Sequence, residues 1–184
     1  TVHIAIDVFA NKGTKLYAPM EGEVFTAEYR DSPLDYGGVV ILKHTTPDND
    51  EFFTLYGHLD PQFLDALQVG DKIDKGQEFC KLGGPDVNGG WAPHVHFQIA
   101  MTTDGMEADW PGVADPDDLN FWNSVCPNPA SMLNLEDHDC VYNFNKKTEV
   151  LSARKKYFGS KKCSYWVRSR KFKYNWYSKY RSWQ

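Results

Sequence analysis

The sequence lacks a long apolar segment. No stretch approaches the roughly 18 apolar residues that a membrane-spanning helix needs, and no charged-then-apolar signal segment opens the chain. We therefore expect no membrane span. The first residue is Thr1 and a candidate functional residue, His3, follows almost at once, so we expect the sequence to be a piece of a longer protein with additional domains.

The sequence also lacks closely spaced cysteines. Its four cysteines form no C-x-x-C pair, which argues against a thiolate zinc knuckle and against a dense disulfide framework. We expect mostly free thiols, and we place Cys80 in the core because it lies in an alternating segment. The four are Cys80, Cys126, Cys140 and Cys163.

Acidic residues are scarce at the C-terminal end. Residues 140–184 carry 13 Lys+Arg against one acid, Glu149, whereas residues 1–139 carry 7 against 24. This change predicts one domain over residues 1–134, followed by a linker and basic aromatic tail over 135–184 that is disordered or the truncated start of another domain. Bases interleaved with aromatics can bind nucleic acid, but the tail has no clear period and no stacking motif, so we do not expect nucleic-acid binding.

Alternating apolar and polar residues between turn signals predict an antiparallel, mostly β domain with short helices. A helical turn is expected at 60–67 and a helix at 116–125. The segments "LDYGG" and "PDVNGGWAP" are expected to be loops. The predicted strands cover residues 3–8, 22–29, 37–45, 51–57, 77–82 and 94–102.

The last of these strands carries two histidines on one face. Side chains alternate along a strand, so His94, His96 and Gln98 share one side while apolar residues occupy the other. The apolar side is expected to be a core face. Imidazoles buried without partners are costly to desolvate, so the histidine side is expected to line a cleft.

A second strand presents similar side chains, since His3, Ala5 and Asp7 would share one face. Imidazole and carboxylate are good zinc ligands, and three protein ligands with an open fourth position is the catalytic arrangement. His3, Asp7 and one of His94 or His96 would supply three. His58, at the end of another predicted strand, is a candidate general base or oxyanion stabiliser.

Taken together, these residues resemble the lysostaphin and LytM type zinc endopeptidases of metallopeptidase family 23. The motifs are H-x-x-x-D, here "HIAID" (3–7), then "YGHL" (56–59) and "PHVHFQ" (93–98). Intervening segments also match, at 13–24, 37–44 and 69–77. The resemblance covers roughly residues 1 to 134 and implies a duplicated hybrid motif fold, similar to a barrel-sandwich hybrid.

The resemblance implies that His3, Asp7 and His96 are the zinc ligands, and that His94 and His58 activate water and stabilise the oxyanion. It implies metal-assisted hydrolysis of short, often glycine-containing peptide cross-links in bacterial cell walls, by a protein of the cell envelope or a secreted one. The chain departs from the family at Ala5, usually Gly, and at Gln98, often Glu. Gln98 could alter hydrogen bonding around the ligands, but neither change removes a ligand.

Two alternatives stay open. "APMEGEV" and "VGDKIDKGQ" also resemble biotinyl and lipoyl carrier domains, yet the only lysine between the two motifs, Lys43, is predicted within a strand rather than on a turn. Segments 126–135 and 151–160 resemble those that follow such a domain in fusion proteins with a phosphotransferase and a class III aminotransferase. That context would imply a non-proteolytic or small-amide-acting domain in the cytoplasm. We interpret His44 and His138 as structural or solvated.

Overall fold

A computed structural model describes residues 2–103, 106 and 109–134, with the backbone of 164–165 and 174–175. Predictions for the rest of the tail, including His138, Cys140 and Cys163, lie outside the described residues. The chain forms two compact units. One is Ala5–Thr102, and the other comprises Thr1–Ile4 and the described part of Thr103–Gln184.

The unit Ala5–Thr102 is built on a six-stranded antiparallel sheet. Its strands are β2 (Ile6–Phe9), β4 (Gly22–Arg30), β5 (Gly37–Thr45), β6 (Glu51–Leu59), β7 (Lys72–Ile73) and β9 (His94–Ala100). They are arranged in the order β2-β9-β6-β5-β4-β7. The neighbouring strands β9, β6 and β5 are mostly buried. They supply a core that includes Val40, Leu42, Leu55 and Phe97.

Two smaller elements complete this unit. β3 (Lys15–Tyr17) pairs with β8 (Glu78–Lys81). A 3-10 helix spans Pro61–Ala66 at the predicted helical turn, and Asp60 caps its start by accepting a hydrogen bond from the Gln62 N–H at 3.1 Å.

The other unit contains a short antiparallel pair, β1 (Val2–His3) with β10 (Val113–Ala114). The predicted helix over 116–125 begins as a 3-10 turn, Pro116–Asp118, and continues as α1 (Leu119–Val125). Phe121, Trp122 and Val125 bury its apolar side. A 3-10 helix follows at Pro129–Leu133, and two further strands pair at Ser164–Tyr165 and Tyr174–Asn175.

The mostly β, antiparallel fold class is confirmed. The prediction of one continuous strand over residues 3–8 is wrong, because β1 ends at His3 and β2 begins at Ile6. Between them, the Ile4 N–H donates to the Gly112 carbonyl at 3.1 Å, so this residue hydrogen-bonds with a different segment from β2. β3, β7 and β10 were not predicted, since two or three residues are too few to show an alternation.

No helix among the described residues combines the length and apolar character needed to cross a membrane. Cys80 and Cys126 are both buried, and Cys80 carries a free thiol. Burial raises the pKa of the Cys80 thiol to about 12, as expected for a core cysteine with little thiolate at neutral pH.

Candidate metal centre and active site

The strand register brings Asp7 to the two histidines of β9. In the pairing of β2 with β9, Asp7 lies opposite His96 and Phe9 lies opposite His94. Directly opposed residues of an antiparallel pair hold their side chains close together. Accordingly, the Asp7 carboxylate lies 3.4 Å from His96 Nδ1 and 3.6 Å from His94 Nε2.

His3, Asp7 and His96 form a possible metal-binding group. Each offers one ligand atom, and these atoms all lie within 4.8 Å of one another. Two imidazoles and a carboxylate are the donor set that zinc accepts in catalytic sites, so the residues present fit a zinc ion.

His96 turns its two ring nitrogens in different directions. Nδ1 faces the Asp7 carboxylate, while Nε2 lies 2.9 Å from Gln98 Oε1 and 3.5 Å from the Tyr36 hydroxyl. His96 is only 3% exposed and Gln98 is fully buried. The predicted cleft face of β9 is therefore enclosed, and hydrogen bonds offset the desolvation of its polar groups.

His94 is held by a main-chain hydrogen bond and by ring stacking. Its Nδ1–H donates to the Ala92 carbonyl at 2.6 Å, and its ring stacks on Phe9 with centroids 4.9 Å apart. The ring also lies against His58, at a centroid distance of 4.2 Å. With Nδ1 used as a donor, neutral His94 presents the lone pair of Nε2 toward Asp7.

His58 sits at a strained backbone position, with φ of 64° in a region that few side-chain-bearing residues occupy. Its N–H donates to the Tyr36 carbonyl at 2.8 Å, and its carbonyl accepts from the Gly83 N–H at 2.9 Å. The side chain donates from Nδ1 to the Asn88 carbonyl at 2.9 Å. Burial lowers the pKa of His58 to about 4, against the opposing effect of that hydrogen bond, so the ring is neutral at pH 7.

The two predicted loops meet beside His58. The Leu34 N–H donates to the Gly89 carbonyl at 2.9 Å, and a Cβ on Gly89 would lie 2.1 Å from the Asp35 carbonyl oxygen. Asn88 is fully buried, and its carboxamide exchanges two 3.0 Å hydrogen bonds with the Trp91 main chain. These contacts fix the position of the Asn88 carbonyl, which accepts the hydrogen bond from His58.

Sequence reasoning did not single out Tyr36 or Asn88. Tyr36 packs its ring against His58 and His96, at centroid distances of 5.7 and 5.1 Å. It fills the space beside Gly57, where a Cβ would lie 2.5 Å from the Tyr36 ring. The adjacent glycines were the only signal in the sequence, since they mark a close approach of backbone.

Comparison with known proteins places this arrangement in a family. The sequence model described as peptidase family M23 matches residues 1–108, more than half of the chain. The chain therefore belongs to peptidase family M23, whose members are hydrolases of peptide bonds. No curated protein matches the chain.

The chain is also similar to solved structures, which include peptidase catalytic domains. The catalytic domain of the antimicrobial peptidase lysostaphin from Staphylococcus simulans is 23% identical, with a TM-score of 0.49 over 72% of this chain and 79% of that one. LytU is 24% identical, with a TM-score of 0.47 over 72% of each chain. A mutant catalytic domain of the prophage-encoded M23 protein EnpA from Enterococcus faecalis is 26% identical, with a TM-score of 0.42 over 53% of this chain and 67% of that one.

Lys43 and His44, which the sequence also singled out, contact residues outside the proposed site. Lys43 lies within β5, where it pairs with Glu23 and Glu51 at 3.8 and 3.7 Å, and not on the hairpin turn that a carrier domain requires. His44 is 1% exposed, and its ring contacts the Glu21 carbonyl and the Thr54 hydroxyl at 2.6 and 2.7 Å. This is the structural role expected for His44.

Proposed function

We propose that this chain is a zinc-dependent endopeptidase that cleaves short peptide cross-links of the kind found in bacterial cell walls. Membership of the M23 family supports peptide-bond hydrolysis. The observation that supports zinc dependence is the grouping of His3, Asp7 and His96 within 4.8 Å, beside the His58 and His94 rings. The substrate class rests on the motif resemblance.

In this proposal His3, Asp7 and His96 hold the zinc ion. When bound, zinc supplies Lewis-acid polarisation of the scissile carbonyl and lowers the pKa of water toward about 7. Three protein ligands would leave a coordination position open for water or substrate. The Asp7 carboxylate is the only anionic member of the set, so it would offset part of the charge of the ion.

His94 is the proposed proton acceptor. The Ala92 carbonyl fixes its proton on Nδ1, so the Nε2 lone pair points toward the metal ligands. A general base needs such a lone pair within hydrogen-bond reach of the proton it takes. Stacking on Phe9 and contact with His58 hold the ring in that orientation.

His58 is proposed to orient the attacking water. Its Nδ1–H is committed to the Asn88 carbonyl, and its lowered pKa keeps Nε2 unprotonated at pH 7. A neutral ring in this tautomer accepts a hydrogen bond at Nε2 and cannot donate one there. His58 can therefore accept a hydrogen bond from the attacking water. It could donate one to an oxyanion only after its Nε2 had gained a proton.

The proposal is tested by zinc analysis and by hydrolysis of a panel of glycine-rich peptides, with chelator and zinc add-back. We expect one zinc per chain and cleavage that chelation abolishes. His96→Ala should lose zinc, whereas His94→Ala should keep zinc and lose turnover. His44→Gln, which changes a buried histidine outside the site, is the control and should retain both zinc and activity.

Two results would contradict the proposal. Full zinc content without cleavage of any peptide would favour the non-proteolytic domain of a fusion protein. Cleavage that persists in the His96→Ala variant at the wild-type rate would remove His96 from the metal site.

A further inference from the structure

Gln98 occupies a position from which it can control the orientation of a metal ligand. It lies two residues after His96 on the same face of β9 and is fully buried. Its Oε1 is 2.9 Å from His96 Nε2, well within hydrogen-bond distance. The Tyr36 hydroxyl reaches the same nitrogen at 3.5 Å, a longer and weaker contact.

The chemistry of the carboxamide decides which nitrogen of His96 carries the proton. A carboxamide oxygen only accepts hydrogen bonds, so the short contact requires a proton on Nε2. A neutral imidazole has one N–H, and Nδ1 is then left with its lone pair. This is the nitrogen that faces Asp7, 3.4 Å from its carboxylate, where a shared cation would be bound.

A neutral amide also sets the charge around the ion. With zinc, Asp7 and two neutral imidazoles, the group carries a net charge of about +1, counted from the ionic charges of its members. A glutamate at residue 98 would cancel that charge within a buried site, whereas glutamine leaves it in place. Residual positive charge favours polarisation of a bound carbonyl, at the expense of tight zinc retention.

We propose that Gln98 is a positioning residue that holds His96 in the tautomer with Nε2 protonated and Nδ1 free for zinc, through a neutral hydrogen bond that leaves the site positively charged. This inference rests on the proposed zinc site. It adds a residue that touches neither the ion nor the substrate.

The test measures zinc affinity by competition with a chromophoric chelator, and so does not depend on turnover. Gln98→Met keeps the length of the side chain but removes the acceptor, and we expect it to lose about 10- to 100-fold in zinc affinity. Gln98→Glu keeps an acceptor and adds charge, so it should bind zinc at least as tightly as wild type. It should also show a lower kcat, because the site charge is cancelled.

The matched control is Thr54→Val. Thr54 pairs with Ile99 across β6 and β9, is fully buried, and hydrogen-bonds His44 and Tyr56 rather than a proposed ligand. Its variant should lose stability without losing zinc affinity. Nitrogen NMR of the His96 ring in the zinc-loaded protein provides a second readout, with Nε2 protonated in wild type and in Gln98→Glu.

The outcomes separate the two proposals. A wild-type protein that binds no zinc overturns the zinc site and this inference with it. Wild-type zinc binding with an unchanged affinity in Gln98→Met overturns only the role of Gln98. If Gln98→Met does not fold, Gln98→Glu decides, and a tenfold weaker zinc affinity in that variant overturns the inference.

Discussion

His58 adopts a left-handed backbone conformation, with φ of 64°. Asparagine is enriched several-fold in that region, whereas alanine is disfavoured there by about 1 kcal/mol or more. The flanking main-chain hydrogen bonds to Tyr36 and Gly83 hold the residue in place. The conformation lets a strand end present an imidazole to the site, at a cost in stability that the two hydrogen bonds offset.

This conformation predicts different effects for two replacements of His58. His58→Asn and His58→Ala should both lose peptide hydrolysis, because each removes the imidazole. The alanine variant should also be less stable than the asparagine variant by about 1 kcal/mol, since asparagine tolerates this φ better than alanine does. Chemical denaturation measures the difference. Equal stabilities would mean that the backbone relaxes when the side chain changes.

At the level of single residues, the sequence predicted the ligand-type side chains but not their supports. His3, Asp7 and His96 could be proposed because strand alternation and the motifs mark them. Tyr36 contacts His96, 60 residues further along the chain, and Asn88 contacts His58, 30 residues earlier. No local pattern encodes such contacts. These contacts depend on how the folded chain brings the two loops together.

Among the elements, the two loops beside the site contain glycines with contrasting surroundings. Gly89 and Gly90 both have positive φ, of 87° and 92°. A Cβ on Gly89 would meet the Asp35 main chain at 2.1 Å, whereas a Cβ on Gly90 would have no neighbour within 4 Å. The pair therefore separates the cost of the backbone conformation from the cost of the loop contact.

Gly89→Ala should be more destabilising than Gly90→Ala. Both variants lose about 1 kcal/mol to the left-handed conformation, and Gly89→Ala loses about 1 to 3 kcal/mol more because the two loops must separate. The same variant should lower activity, since the displaced loop carries the Asn88 carbonyl that holds His58. Denaturation and peptide hydrolysis measure the two effects. Equal losses in both variants would show that the loops do not depend on this contact.

The long strands could be predicted from the sequence because they alternate or run apolar over seven to nine residues, as in β5, β6 and β9. The interruption near Ile4 could not, since the alternation continues through it. What breaks the strand is a hydrogen bond to Gly112, more than a hundred residues away. Alternation shows which side chains share a face but not which segment pairs with them.

For the whole chain, composition predicts one domain over residues 1–134. The family match ends at residue 108, the described residues of this part end at 134, and the basic segment begins at 140. A domain over 1–134 stays a prediction. Composition marks where the kind of sequence changes, whereas a domain boundary depends on which contacts the chain makes.

Zinc binding should be visible in the stability of the whole protein. A ligand that binds only the folded state stabilises it by an amount that grows with the logarithm of its concentration, about 4 kcal/mol at a thousand times Kd. The proposed ligands come from His3, Asp7 and His96, which the unfolded chain does not hold together. We therefore expect the midpoint of thermal unfolding to rise with added zinc and to fall on chelation. His96→Ala should unfold at the same temperature with and without zinc, whereas Thr54→Val should show the full zinc-dependent rise from a lower starting point. An equal rise in His96→Ala would assign the stabilising zinc to other residues and would remove the thermodynamic support for this site.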